Sequence, residues 1–426
     1  MYKIQKLSNG LNLLTAPQKG AKTTAVLVMV ATGSKYEDRR TSGLSHFLEH
    51  MFFKGTTKRP DTLTISTALD RVGGEYNAFT SKEYTGYWVK TAGKSAELAL
   101  DVIADMLLNS KFEEEEIARE KGVIIEEVNM YLDNPIMRVG EVFEECLYGD
   151  TPAGWDTIGT KETINAFKRK DFIKYYQSQY KTGNSFVCLA GYIPPKVKSL
   201  VEKHFNKYPK GRALPKQEVK EKQNQAQVKL EYKKTDQAHL VLGVRTPAYG
   251  NPDYAALKMI SLALGGSMSS RLFLNLRERN GLCYYVRSGY EAYTDTGYLA
   301  TQAGVPVDKI KKAIAIIVEE YKKMAKEKIS DQELKKIKQF VSNKTLLKLE
   351  GADQVAGWYG QQLVMLSQQK GKKLKPTTPS EHLKKMKAVT PEDIQRVAKK
   401  IFTTKNLNLA IIGPYKKTEE FRKLLK

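Results

Sequence analysis

Two of the chain's five histidines, His46 and His50, stand four residues apart in the segment HFLEH. On a helix that spacing puts both imidazoles on one face, within reach of a single metal ion. Glu49 follows His46 by three residues and borders the same face, which makes the order H-x-x-E-H, the inverse of the commoner zincin H-E-x-x-H. With this histidine usage and glutamate at about 7% of residues, a random match arises about 0.004 times per chain, so chance is a poor account of it. Catalytic zinc takes three protein ligands and keeps a fourth position for water. A carboxylate on a later element is therefore expected, and REKGVIIEEV, Arg119 to Val128, supplies candidates. Glu120 and Glu127 are seven residues apart and share a helix face beside Val123 and Ile124, whereas Glu126 points about 100° away. Glu127 is the expected ligand and Glu120 its supporting partner. Imidazole and carboxylate ligands point to zinc, although manganese and cobalt accept the same types.

These groups need rigid elements behind them. The pattern predicts strands near 12–14 and 25–31, and helices near 44–53 and 63–72. A strand over 75–79 should pair with one over 85–90, followed by helices over 96–108 and 113–131. The acidic run Glu113 to Glu116 reads as the first turn of that last helix, where carboxylates complement the dipole. Strands mixed with long helices, without a regular βαβ beat, indicate an α+β fold with helices on one face of a mainly antiparallel sheet.

The ends of the two halves repeat. Ala166, Asp171, Asn184 and Gly191 recur as Ala388, Asp393, Asn406 and Gly413, each shifted by 222 positions. Units this long are duplicated domains rather than solenoid repeats. The expected division is a catalytic domain over 1–212, a polar linker over 213–227 and a homologous domain over 228–426. Where HFLEH would recur, the second half reads YAALKMISLALGG, so one zinc ion per chain is expected.

At 426 residues, with 41% hydrophobic and 27% charged residues, the chain is neither disordered nor fibrous. The longest purely apolar run, Ala25 to Ala31, is far short of the ~20 residues of a membrane span, so no membrane partner is expected. The start, MYKIQKLSNGLNLL, alternates like a strand with a turn at Asn9-Gly10 rather than like a signal peptide. Cys146, Cys188 and Cys283 lie far apart and fit a reducing compartment, so a cytoplasmic protein with buried thiols is expected. The formal charge of +23 would attract nucleic acid, yet no zinc finger, RNP-like or Gly-rich phosphate motif accompanies it, and nucleic acid is not the expected partner.

Taken together, HFLEHMFFKGT, GGEYNAFTSKEYTGYWV and REKGVIIEEV resemble the pitrilysin/insulinase family of inverzincin metallopeptidases, and in length its two-domain processing-peptidase branch. The resemblance implies that His46, His50 and Glu127 are zinc ligands, that Glu49 is the base that activates water, and that Glu120 supports the site. It makes Asn77, Ala78 and Phe79, with Thr80, an edge strand that pairs with substrate backbone. In LGGSMSSRLFLNLRERNGLCYYV it implies that Arg277 and Tyr284 reach substrate, against the plainer role of Arg277 as a surface cation paired with Glu278 or Glu291. It further implies half of a clamshell and hence a homodimer enclosing a chamber. The expected function is a zinc-dependent endopeptidase that cuts unfolded or extended peptides by Glu-assisted attack of water. The alternative is an inactive or partner-dependent scaffold subunit of the same family.

Overall fold

The computed structural model describes residues 1–369 and 371–426. Strands β1 (Lys3–Lys6), β2 (Asn12–Pro17) and β3 (Thr23–Val30) lead into helices α1 (Leu44–Met51) and α2 (Thr62–Asp70). Then come β4 (Glu75–Thr80), β5 (Thr85–Ala92), α3 (Ala96–Asn109), α4 (Glu114–Asp133), α5 (Pro135–Tyr148), α6 (Lys161–Ala166), α7 (Arg169–Gln179), β6 (Ser185–Gly191) and α8 (Val197–Phe205). The second half runs β7 (Gln227–Tyr232), β8 (Gln237–Thr246), α9 (Tyr254–Gly265), β9 (Tyr285–Ala292), β10 (Gly297–Pro306), α10 (Ile310–Lys326) and α11 (Asp331–Lys348). It closes with α12 (Ala352–Ser367), α13 (Pro379–Ala388), α14 (Pro391–Ile401), β11 (Leu407–Gly413) and α15 (Glu419–Arg422).

The chain forms two compact units, each with its own sheet. In the first the strand order is β1-β2-β6-β3-β5-β4; in the second it is β7-β11-β8-β10-β9. β2 runs parallel to β6 and β7 parallel to β11, while every other neighbouring pair is antiparallel. Apart from the added β1, the two sheets have one topology, and the repeat at the ends of the halves corresponds to β6 and β11. The α+β architecture and its duplication are as expected from the sequence.

The units do not divide at a single point. The first comprises Met1–Val128, Asp156–Gln217 and Thr345–Thr378; the second comprises Asn129–Trp155, Glu218–Lys344 and Pro379–Lys426. A cut in the linker over 213–227 therefore misses an exchange, in which α12 belongs with the first sheet and α5 with the second.

The exchange has a physical cause in the central strands. Val26, Val28 and Val30 of β3 pack with α1, α3 and α7 in one core, which leaves Ala25, Leu27 and Met29 buried on the opposite face. A strand that is apolar on both faces needs a layer on each, and α12 is that second layer, lying on β3 and β6. In the second unit most helices again share one face, where Leu240, Leu242, Leu409 and Ile411 meet α9, α10 and α14. Val139, Val142, Phe143 and Leu147 of α5 cover Val241, Ala410 and Ile412 on the other face. The expected helical layer is thus present, and each sheet carries one helix more on its far side.

Cys146, Cys188 and Cys283 are free and buried. Among the described residues, no helix is long and apolar enough to cross a membrane.

Gly360 lets α12 approach the sheet closely, since a Cβ there would stand 2.9 Å from Met29 Cγ and 3.0 Å from Leu27 Cδ2. Gly360→Leu is expected to destabilise the protein by about 1–3 kcal/mol through overpacking, read as a lower midpoint in thermal or urea unfolding. An unchanged midpoint would show that α12 does not press on this face.

Candidate metal and catalytic site

Helix α1 separates packing from chemistry by its period. Leu44, Phe47, Leu48 and Met51 form the buried stripe, and His46, Glu49 and His50 fall on the opposite side. The helix begins at Gly43, whose φ of 92° is left-handed and which has no side chain with which to cap. Glu37 caps the helix instead, its carboxylate accepting from the backbone N–H of Gly43 at 2.8 Å and of Ser45 at 2.6 Å. Burial pushes the Glu37 carboxyl up to about 7, against the lowering effect of those hydrogen bonds. Beyond the helix, the loop is fastened by Arg59, which donates to Asp105 at 2.7 Å and to Asp101 at 2.6 Å.

Helix α4 brings the carboxylates. Ile117, Glu120, Ile124 and Val128 are its buried residues, and Glu127 lies about 20° round the helix from Glu120. The acidic first turn contains Glu114 to Glu116, as expected.

The structure brings His46, His50 and Glu127 together, with one ligand atom of each within 4.8 Å of the others. His46 Nε2 is 3.7 Å from Glu127 Oε1, and His50 Nε2 is 3.7 Å from Glu127 Oε2. These separations are too long for hydrogen bonds. They approach the ~3.4 Å edge of a tetrahedron of N and O ligands at ~2.1 Å from zinc. His50 Nδ1 meets Glu120 Oε1 at 2.8 Å, and Lys54 Nζ contacts the other Glu120 oxygen. A Glu120 acceptor on Nδ1 fixes the tautomer that leaves the Nε2 lone pair facing Glu127. His46 Nδ1 is buried with no hydrogen-bond partner.

The electrostatics describe a place short of positive charge. Burial, reinforced by the neighbouring His50, pushes His46 down to about 3, so its imidazole is neutral, the form that ligates. Burial raises Glu49, and nearby Glu127 adds to it while the Thr80 hydroxyl opposes it. Burial likewise raises Glu127, with Glu120 adding and His50 opposing. Burial would lower His50, but the hydrogen bond and charge of Glu120 outweigh it and the pKa rises. Burial works against ionisation of Glu120 too, and His50 and Lys54 together win, holding it low. Two carboxylates that resist ionisation beside two imidazoles fit a divalent cation, which would relieve both. Among the described residues this is the one cluster of three or more such groups able to hold a metal.

Strand β4 is an edge of its sheet. The turn bond from Ser81 N–H to Tyr84 C=O at 2.9 Å sets the alternation along β4 and β5. Backbone groups of Tyr76, Ala78 and Thr80 consequently point to the open edge. Asn77 and Phe79 are exposed on one face, and Asn77 Oδ1 accepts from the Ala78 N–H at 2.8 Å. An added strand must replace that bond. Thr80 lies on the opposite face, and its hydroxyl donates to Glu49 Oε2.

Arg277 and Tyr284 belong to the second unit. Arg277 lies in a π-helical turn, Phe273–Glu278, and donates to the Tyr284 carbonyl oxygen at 2.8 Å. Its guanidinium stacks on the rings of Phe273 at 5.0 Å and Tyr284 at 5.1 Å. Neither Glu278 nor Glu291 pairs with it among the described residues, so the plain surface ion pair is not what is seen. Tyr284 is 77% exposed. Glu37, Lys54 and Thr80 escaped the sequence reading as contributors to the site, because each acts on a residue distant in the chain or in a different element.

The chain is similar to known proteins in sequence and fold. A family model described as "Insulinase (Peptidase family M16)" matches residues 13–161, and one described as "Peptidase M16 inactive domain" matches residues 166–341. The "Uncharacterized zinc protease YmxG" of Bacillus subtilis is 34% identical over 97% of this chain and 98% of its own. The "Uncharacterized zinc protease SCO5738" of Streptomyces coelicolor is 31% identical over 98% of this chain and 90% of its own. A crystal structure of a protease from Helicobacter pylori superposes with a TM-score of 0.89 at 26% identity, covering 97% of this chain and 99% of that one.

Removing the Glu120 carboxylate is expected to weaken zinc binding about 10–100-fold in Glu120→Ala, read by competition with a chromophoric chelator. Wild-type affinity in that variant would show that His50 needs no orienting partner.

Proposed function

The chain belongs to the insulinase family of M16 peptidases, and we propose that it is a zinc-dependent endopeptidase acting on unfolded or extended peptides. The observation that carries this reading is the convergence of His46, His50 and Glu127 with Glu49 on the same helix face, beside a sheet edge that is open to a peptide. His46, His50 and Glu127 would hold the ion, one per chain. When bound, zinc supplies a Lewis acid that lowers the pKa of a coordinated water toward ~7 and polarises the scissile carbonyl.

The protein's own groups do the rest. The edge of β4 over Asn77, Ala78 and Phe79 takes the extended chain, with the outward backbone groups of Tyr76, Ala78 and Thr80 as donors and acceptors and the exposed Asn77 and Phe79 side chains beside them, a mode largely independent of side-chain sequence. Glu49 accepts the proton as the water oxygen attacks the carbonyl carbon, and returns it to the amine nitrogen as the C–N bond breaks. Glu120 holds His50 in its ligating tautomer. Arg277 is assigned to a peptide carbonyl and the Tyr284 hydroxyl to the developing oxyanion. Their stacking supports this by fixing the guanidinium in advance, at little cost in ordering when substrate binds.

A cytoplasmic, homodimeric particle is part of the same proposal. Three free, buried cysteines are compatible with a reducing compartment, and sedimentation at twice the 48.1 kDa chain mass tests the dimer. Nucleic acid is not assigned as a partner. Residues 1–128, which supply the whole metal cluster, contain 17 basic and 17 acidic residues, so the surplus of +23 arises elsewhere in the chain.

The test is cleavage of a mixed pool of unstructured peptides, read by mass spectrometry. Wild type is expected to cut, to stop on chelation and to recover with zinc. Glu49→Gln is expected to keep one zinc per chain and lose about 10²–10⁴-fold in rate. Undiminished cleavage by that variant would refute the assignment, and zinc-loaded wild type that cuts nothing would favour the scaffold alternative.

A further inference from the structure

We propose that Thr80 is a positioning residue for Glu49, its hydroxyl holding one carboxylate oxygen so that the other is the one that takes and returns the proton. The proposal rests on the peptidase reading above and goes beyond it by naming the group that aims the base.

The contact is specific. Thr80 Oγ1 donates to Glu49 Oε2, and Glu49 Oε1 has no hydrogen-bond partner among the described residues. Glu49 is 9% exposed, so water is a poor substitute for the hydroxyl. A hydrogen bond to a largely buried carboxylate is charge-assisted and directional. Threonine, β-branched, has few side-chain rotamers to choose from, which suits a fixed donor better than a longer side chain.

The backbone that carries Thr80 is itself clamped. Thr80 ends β4, and the turn that follows presses on residues 33–35. Ser34 N–H donates to Ser81 C=O at 3.2 Å, and Lys35 N–H donates to Lys82 C=O at 2.9 Å. Gly33 permits this approach, because a Cβ there would stand 2.0 Å from the Ser81 oxygen. Under the turn, Glu83 is fully buried and paired with Lys35 at 2.8 Å, with Lys216 on the same oxygen. Breaking such a pair is costly, so the end of β4 is held firmly. Thr80 is the link from this clamp to Glu49.

Thr80 also faces two ways. Its side chain meets the base, and its backbone groups lie on the open edge where a peptide would add. One residue thereby ties the register of the substrate to the orientation of the carboxylate. Misplacing a base by a fraction of an ångström costs turnover more than binding.

The experiment compares Thr80→Val, which keeps shape and loses the donor, with Thr80→Ser, which keeps the donor. In zinc-loaded full-length protein, T80V is expected to lower kcat about tenfold or more with KM within about twofold and one zinc per chain, while T80S stays near wild type. A second measurement needs no turnover. The affinity of a dipeptide hydroxamate, whose acidic proton is shared with a carboxylate beside the ion, should fall about tenfold in T80V and stay near wild type in T80S. Unchanged hydroxamate affinity in T80V, or equal losses in T80V and T80S, overturns the proposal. If wild type cuts no peptide yet its hydroxamate affinity depends on the Thr80 hydroxyl, the peptidase reading fails and the positioning role stands.

Discussion

Two carboxylates and two imidazoles gathered in a partly buried cluster form the constraint around which the first unit is organised. Left alone they are poorly matched, for burial suppresses the charge on Glu49 and Glu127, and His46 is already neutral. Such a set is stable in a fold only if its members cannot turn away from one another. α1 meets this by committing Leu44, Phe47, Leu48 and Met51 to the core, so that rotating the helix to relieve His46, Glu49 and His50 would expose that stripe. Glu37 closes the helix start, and the buried Arg59 pair with Asp101 and Asp105 fastens the chain beyond its end.

The same logic explains why the sheet behind the site is buried on both faces. A helix that carries ligands is only as fixed as the surface it packs on. β3 and β6 are buried along nearly their whole length, so they need a layer on each side. α12 supplies the second layer for this sheet, as α5 does for the sheet of the second unit. Each unit thus draws a structural element from the other half of the sequence, which ties folding of one half to synthesis of the other.

Much of this was legible from residue types and spacing. HFLEH places His46, Glu49 and His50 on one face of α1, and the seven-residue step from Glu120 to Glu127 picks the two α4 carboxylates that the structure brings to those histidines, because both are periodic features of single helices. The shared strand order of the two sheets was announced by the 222-residue repeat. The exchange of α12 and α5 was not legible as a partner choice, yet its cause was: AVLVMVA is continuous rather than alternating, and a continuous apolar strand asks for cover on both sides. Glu37, Lys54 and Thr80 left no such trace, since a hydrogen bond between residues six, 66 or 31 positions apart has no period to reveal it.

What separates the two units chemically is small beside what they share. The second keeps the order of strands and the two-sided cover, but its first long helix, α9, carries YAALKMISLALG where the first unit carries His46, Glu49 and His50. Ala256, Leu257, Met259, Ile260, Ala263 and Leu264 of α9 are all buried, so no polar face remains for a metal. Exchanging one polar stripe for apolar residues is enough to make the corresponding helix a core helix while the sheet beneath it keeps the same strand order. The second unit instead carries Arg277 bonded to and stacked on Tyr284, beside the outermost strand β9, which stands where β4 stands in the first sheet. A duplicated scaffold can in this way keep its architecture while its copies carry different side chains, with a cluster able to hold a metal in one and a stacked arginine and tyrosine in the other.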